Sequence, residues 1–562
     1  MTRLFGLETE YGFAAPGEPN REAEEIRALI HAGRGPDPLD LDDAWTRDLF
    51  AGSNEDASKW LVETARELYP GLSDATGAGV FLTNGCRLYV DSGHPEFSTC
   101  EVTSPTDLVR YVLAGQRILE RAAAKSASDR PASRPVLFKT NVDYSIEPVT
   151  WGCHESILHR AEPRRLANVL LGHLCSRDVF AGPGGLDPFA PGIAFVLSPR
   201  ALFLTRPVSI SPTDDTGRAI FHLKDESLSR GPYKRLHLTA ASSLCSERAM
   251  WLRAASTVMI VAMADGGLAA QPTITLADPV KALHAIVRDP TCRVEVRLAD
   301  GRMTTALALQ RQYLEAAEAR IGRDYMPDWS RTACEHWRAM LDQLERAPDS
   351  VATTLDWSMK RALFGRVLAR HGLDWTRAER WTAALSAVMQ ACCPASANTP
   401  WTDPEELLDP DLLSSPAVAQ IDSILDSHGF NRTGLEPFLR ARRDLFECDL
   451  RFGQLGGEGI FESLDREGLL THHMPGVDDI DGAVERPPGS GRAHVRGEAV
   501  RRLRNDNRRF ICDWTGIHSQ EADEYLELGD PFAQAERWLP VAVPPEGTPV
   551  ANESHDARSF DL

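Results

Sequence analysis

Polar and apolar positions alternate clearly in two short stretches. In "LETEY" the alternation sets Glu8 and Glu10 on one side, opposite Leu7, Thr9 and Tyr11, and the surrounding "RLFGLETEYG" reads as a strand ended by Gly12. In "RLYVD" it sets Arg87, Tyr89 and Asp91 opposite Leu88 and Val90, within a strand expected over Val80–Asp91. A further strand is expected over Val136–Asp143. Helical spacing is expected in "SKWLVETARELYPG", with Asp56 or Ser58 as cap and a stop at Pro70-Gly71. Arg248 to Ala264 is apolar on most faces and predicts a buried helix, and residues 304–390 are largely helical by spacing. "FICDWTGI" reads as a late strand.

Prolines, glycines and acids break these patterns in three places. An acidic segment over residues 14–56 carries one amphipathic helix near Arg21 to His31. A Pro/Asp-rich loop covers about 394–416, and "PGVDDIDGAVERPPGSG" marks a boundary over Pro475 to Gly491. The expected division is therefore a large domain over residues 1–475 and a small C-terminal domain over 476–545. A Pro/Gly/Ser-rich tail over 546–562 is expected to be disordered. No internal repeat is visible.

With 562 residues the chain exceeds an average domain, and its 43% hydrophobic and 25% charged content is ordinary for a globular protein. A formal charge of −20 argues against a protein that coats nucleic acid, since phosphate binding wants a basic surface. The basic run "RAHVRGEAVRRLRNDNRR" (Arg492 to Arg509) is read first as a solvated helix face, and second as a groove for an acidic partner. It lacks the aromatic interleaving of nucleic-acid binders. Eleven cysteines without a C-x-x-C pair suit reduced thiols. The acids near the N-terminus are unlike a secretory signal, and "STVMIVAMA" is too short to span a bilayer, so a cytoplasmic protein without membrane contact is expected.

A soluble sheet normally turns its polar face to water, which is the plain reading of both alternating stretches. Against it, "HPEF" brings Glu96 back towards the second strand. Four carboxylates held close (Glu8, Glu10, Asp91, Glu96) raise one another's pKa unless a cation sits among them. Hard oxygen ligands favour Mg²⁺ over zinc, and the neighbouring arginine suggests a metal that carries phosphate. Neither G-x-x-x-x-G-K-[ST] nor G-x-G-x-x-G is present, and "HESILH" spaces its histidines wrongly for a zinc helix.

"GLETEYG", "FLTNGCRLYVDSGHPEF", "GCHES", "YKRLHL", "LDWSMKRALF" and "GDPF" together resemble the Pup deamidase/depupylase and Pup–protein ligase family. The resemblance runs with gaps from Leu4 to about Phe532. It implies an α+β, glutamine synthetase-like (carboxylate–amine ligase) fold, with a curved antiparallel sheet packed by helices and a small C-terminal domain. It further implies ATP and Mg²⁺ as cofactors, and as partners the small modifier Pup, pupylated proteins and an indirect link to the bacterial proteasome. By the resemblance, Glu8, Tyr89 and Glu96 take metal positions, with Glu10 beside them. Arg87, Thr99 and Trp514 take nucleotide positions, and Asp91 takes the catalytic aspartate position. His154, Arg200, Lys224 and His237 fall where the family lines its phosphate and catalytic pocket. Read without the family, His154 and His237 are core histidines or site residues alike, Trp514 is a core residue and Arg200 a surface arginine.

Two branches share that chemistry. The tight spacing in "DSGHPE", with "FLTNG" and "LALQRQYL", resembles the deamidase/depupylase branch, whereas "GCHE", Thr99, "KRALF" and "LGDPF" resemble the ligase branch. The expected activity is hydrolysis of the Pup C-terminal Gln amide or of the Pup–lysine isopeptide bond. The alternatives are a Pup–protein ligase acting through a glutamyl phosphate, a small-molecule carboxylate–amine ligase, and a non-catalytic Pup-binding regulator. Three departures from the family pattern stand out: Lys224 in place of arginine, Ser156 ending "HES", and "ASSLCSE" at Ala241 to Glu247. Lysine keeps the charge but loses the bidentate fork.

Overall fold

The computed structural model describes residues 3–14, 55–91, 93–129, 135–144, 148–211, 213–214, 217–224, 228–229, 231–269, 274–392, 407 and 415–540. The expected helix near Arg21 and nearly all of both insertions lie outside these residues, as does the C-terminal tail.

Apolar and polar positions alternate in β1 (Phe5–Glu10), so Phe5, Leu7 and Thr9 are buried while Gly6, Glu8 and Glu10 stand half-buried on the other face. β2 (Gly12–Ala14) follows directly, and α1 (Glu55–Leu68) begins upstream of both expected caps. Ser58 instead donates from Oγ to the Gly93 carbonyl (2.7 Å). The strand expected over Val80–Asp91 is broken. After β3 (Leu72–Asp74), β4 (Gly79–Phe81) and β5 (Arg87–Asp91) form a hairpin around Asn84-Gly85, where Gly85 takes φ +80°. β6 (His94–Ser98) returns beside β5. α2 (Pro105–Asp129) starts where Ser104 Oγ accepts from the Asp107 N–H (3.1 Å), with Pro105 in its first turn.

β7 (Val136–Phe138) is shorter than expected, and "HESILH" lies in a strand, β8 (Cys153–His159), not a helix. β9 (Gly217–His222) belongs to a small three-stranded sheet, and β10 (Lys234–Leu238) lies at the edge of the main one. α3 (Glu247–Asp265) is buried almost all round, as its composition predicts, and Ser246 caps it. The 304–390 region forms four helices, Ala306–Glu318, Ser330–Arg346, Asp356–Arg370 and Trp375–Cys392. α4 (Leu435–Phe452), α5 (Ile460–Arg466) and α6 (Arg492–Leu503) follow.

"FICDWTGI" is a hairpin rather than one strand, made of β11 (Phe510–Cys512) and β12 (Gly516–Ser519). β13 (Glu524–Glu527) and β14 (Trp538–Pro540) complete an eleven-stranded sheet ordered β10-β8-β1-β6-β5-β4-β3-β11-β12-β13-β14. All its pairs are antiparallel except β3 with β11, which are parallel. The C-terminal strands thus extend the main sheet while packing a small core of their own around Leu72, Phe81, Val500, Phe510 and Leu526.

The basic run is not a solvated face at its start. Arg492 and Arg496 are buried, and Arg492 Nε lies 2.5 Å from Glu101 while Arg496 pairs with the same carboxylate. Arg496 also donates to the Gly85 carbonyl (3.0 and 3.1 Å). Burial alone would raise the Glu101 carboxyl, but Arg496 and then Arg492 outweigh it and hold it at about 2. α6 is thereby fixed to the end of β6.

Candidate active site

Register decides what the acidic strands can do. Glu8 of β1 lies opposite Ser98 of β6 and His154 of β8, and Ser98 lies opposite Arg87 of β5. One step along, Glu10 lies opposite Glu96, which lies opposite Tyr89. His237 of β10 is opposite Ser156 on the same face. Helix α2 covers the other face, where a Cβ on Gly115 would come 2.3 Å from the Phe97 ring. The chain therefore brings Glu8, Glu10, Tyr89, Glu96, Arg87, His154 and His237 together on the side of the sheet away from α2.

Within that set Glu8 is the most heavily partnered. Arg235 Nη2 lies 2.5 Å from its Oε1, while His237 Nε2 and His154 Nδ1 lie 3.3 and 3.4 Å from its Oε2. Burial would raise its carboxyl, but Arg235, then the two histidines, hold it well below the usual carboxylate range. Glu10 accepts from the Gly152 N–H (2.6 Å), and its Oε1 lies 3.6 Å from His154 Nε2, so one imidazole bridges the two glutamates. Burial pulls the His237 imidazole below its ordinary value.

Glu96 is the opposite case. It is 1% exposed, its Oε1 has no hydrogen-bond partner, and burial followed by the charges of Glu8 and Glu10 pushes its carboxyl well above the ordinary range. Tyr89 shares a hydrogen bond with it, and burial and Glu96 push the phenol up in turn. Ligand atoms of Glu10, Glu96 and His154 lie within 4.8 Å of one another, as do those of Glu8, His154 and His237. An unpartnered buried carboxylate oxygen facing two more carboxylates fits a divalent cation. The donor set is not oxygen alone, however. The imidazoles of His154 and His237 both stand beside Glu8.

The remaining expected residues divide by position. Arg87 donates from Nε (3.0 Å) and Nη2 (2.5 Å) to Asp74 Oδ2, and its guanidinium lies 3.9 Å from the Tyr89 ring centre. Asp91 ends β5 at the exposed rim, opposite His94, which stacks on Trp151 at 5.5 Å. Arg200 is buried behind Gly152 and donates to Thr150 Oγ1 (2.7 Å) and the Thr239 carbonyl (2.9 Å). Burial lowers it to about 10 even though Glu10 opposes the shift. Lys224 is exposed two residues beyond β9, whose last residue, His222, packs edge-on to His237 at 5.4 Å.

Thr99 and Trp514 meet at a cleft of about 590 Å³ that begins at Glu8 and Arg235 and is lined further by Gly6 and Pro531. Thr99 Oγ1 accepts from the Leu7 N–H (3.0 Å), and a Cβ on Gly6 would come 3.1 Å from it. Trp514 packs edge-on to Phe81 (5.1 Å) beneath the Arg496 guanidinium (4.7 Å). The cleft is lined mainly by apolar groups, with the Glu8–Arg235 and Glu101–Arg492 pairs as its charges.

Arg235 and Ser156 are missing from the set expected from sequence. Arg235 was within reach of the same alternation, since it stands two residues before His237 in "KRLHL" and so shares its face. Asp74, the anchor of Arg87, carries no such signal.

The Pup-ligase protein family matches the chain over residues 3–386 and 431–518. The chain is 34% identical to a depupylase of Acidothermus cellulolyticus over 392 residues, covering 67% of this chain and 76% of that protein. It is 30% identical to Pup–protein ligase 2 of Rhodococcus erythropolis over 483 residues, covering 84% and 92%. The solved complex of the prokaryotic ubiquitin-like protein Pup with its ligase PafA superposes with a TM-score of 0.66 at 23% identity, covering 95% of this chain and 89% of that one. PafA in complex with ADP gives 0.58 at 24% identity, covering 89% and 93%. These structures share the α+β, glutamine synthetase-like architecture described above.

Proposed function

The chain belongs to the Pup-ligase protein family, and from that premise we propose that it is an ATP- and Mg²⁺-dependent enzyme of the Pup system. In this reading it hydrolyses the C-terminal Gln amide of Pup or the isopeptide bond between Pup and a lysine. The observation that carries the proposal is Glu96, a buried carboxylate with an unpartnered oxygen beside Glu8 and Glu10, next to a cleft that Glu8 lines together with Arg235 and Trp514.

Glu8, Tyr89 and Glu96, with Glu10 beside them, are the residues to hold Mg²⁺. When bound, the ion neutralises triphosphate charge. Arg235 and the two histidines keep Glu8 deprotonated, so this ligand is ready without proton loss. The apolar lining of the cleft, with Gly6 and Trp514, suits the flat face of an adenine base. Arg87 is held rigidly by Asp74 and offers its charge to phosphate beside Tyr89.

Asp91 stands at the rim, where a peptide terminus can reach it, and serves as base towards water or as nucleophile on the terminal carbonyl. Arg200 acts as a positioning residue, since its guanidinium backs Gly152, whose N–H fixes Glu10. Lys224, exposed two residues past His222, is in a position to meet phosphate or oxyanion charge as it develops. In this reading the enzyme acts in the cytoplasm, with an indirect link to the bacterial proteasome.

The tight "DSGHPE" turn favours the hydrolytic branch, and it is the Gly93 turn that Ser58 holds. The ligase reading is favoured by one finding, the longer match of 84% of this chain to a Pup–protein ligase against 67% to a depupylase. Incubation with ATP, Mg²⁺ and either Pup ending in Gln or a pupylated protein separates them by mass spectrometry. Loss of the amide or release of Pup, abolished by Asp91→Asn, supports hydrolysis. Conjugates accumulating from Pup ending in Glu would overturn it.

A further inference from the structure

On the α2 side of the sheet, remote from the acidic face, lies a second cavity, walled by α2, α5 and the ends of α3 and α4. Lys139, one residue past β7, lines it while only 4% exposed, and among the described residues its Nζ has neither a hydrogen bond nor an ion pair. The contrast with Lys360 is instructive, because that equally buried ammonium lies 2.6 Å from Asp449. The buried Asp356 carboxylate is near enough to feel the Lys139 ammonium but makes no contact with it, so an anion entering the cavity would supply the direct partner that Nζ lacks.

A second wall is acidic, with Arg117 Nε 3.6 Å from Glu120 Oε2. Glu120 and Glu462 face each other, and Gln116 Nε2 bridges them at 3.1 and 3.4 Å. Burial, then the Glu120 charge, pushes the Glu462 carboxyl up to about 7. Cys245 lies between the two walls, close enough to feel both Lys139 and Glu462. Leu113, Phe452 and Phe461 supply the apolar surface of the cavity.

We propose that this cavity binds a small zwitterion of the amino-acid class, its carboxylate on Lys139 Nζ and its ammonium on the Glu120–Glu462 pair. Phosphate matches less well, because beside Lys139, Arg117 and Arg466 a doubly charged anion would also meet the carboxylates of Glu120, Glu247, Glu462 and Asp465. A metal on the adjoining His472–His473 pair also matches less well. His472 Nδ1 already accepts from the Glu247 N–H (3.3 Å), and its Nε2 is directed at Asp465 (3.0 Å), which leaves that imidazole no lone pair. The inference does not depend on the Pup reading.

The test uses the full chain, thermal melting and equilibrium dialysis. The probes are the twenty L-amino acids singly, with acetate, methylammonium and inorganic phosphate at equal concentration. At least one amino acid is expected to raise the melting temperature and be retained, while the three half-probes do neither. Lys139→Met and the partly exposed Glu120→Gln should each reduce retention at least tenfold with ATP uptake unchanged. Failure of every amino acid to bind overturns the proposal. So does undiminished retention in either variant, or stabilisation by phosphate alone.

Discussion

Replacing Glu96 by Gln should strengthen the metal-free protein while abolishing its response to Mg²⁺. Ligand atoms of Glu10 and Glu96 lie within 4.8 Å. At that spacing and an effective dielectric of about 20, two carboxylates repel by about 3 kcal/mol. Glu96 escapes part of this by keeping a proton, so the gain from the neutral amide is about 1–3 kcal/mol at pH 8. Because its folded pKa lies above the ordinary 4.5, the folded state holds the proton more tightly than the unfolded chain. Its favourable contribution is complete below about pH 4.5 and is lost as pH rises through the folded value. Urea unfolding in EDTA at pH 5 and pH 8 should therefore show the wild type losing stability between the two and Glu96→Gln losing less. Added Mg²⁺ should restore the wild type alone. A variant weaker than wild type in EDTA at pH 8, or one equally stabilised by Mg²⁺, would refute the reasoning.

Other consequences are as direct. Glu101→Gln leaves Arg492 and Arg496 buried without a counter-charge and should cost about 3–5 kcal/mol, seen as early proteolysis of the C-terminal strands. The Glu101 contribution in the wild type is present above about pH 4.5 and fades as pH falls towards 2, which acid titration of unfolding can follow. Arg235→Gln removes the main charge holding Glu8 down and should weaken Mg²⁺ affinity about 10–100-fold, with the loss greatest at low pH in a calorimetric series. Gly152→Ala places a methyl 2.6 Å from the Arg200 guanidinium, so unfolding should become easier by about 1–3 kcal/mol and nucleotide turnover should fall.

Alternation made the acidic strands legible, because Glu8 and Glu10, or Arg87, Tyr89 and Asp91, share a face whatever the strands pair with. Pairing itself was not legible. Nothing local places β8 beside β1, and it is that contact which sets His154 between Glu8 and Glu10. The basic run misled for a similar reason, since the counter-charge of Arg492 lies 391 residues earlier in the chain, at Glu101. The break at Asn84-Gly85 was readable from turn chemistry and yielded to the longer apolar pattern around it. The small C-terminal core draws Leu72 and Phe81 from the other end of the sequence, a junction that composition does not reveal.

Isothermal titration of ATP into the full chain, once with Mg²⁺ and once with EDTA, tests most directly whether the acidic face holds a metal-bound nucleotide. Saturable uptake with Mg²⁺, lost in EDTA and in Glu8→Gln, is the predicted result. Equal uptake in EDTA, or none with Mg²⁺ present, would contradict the account.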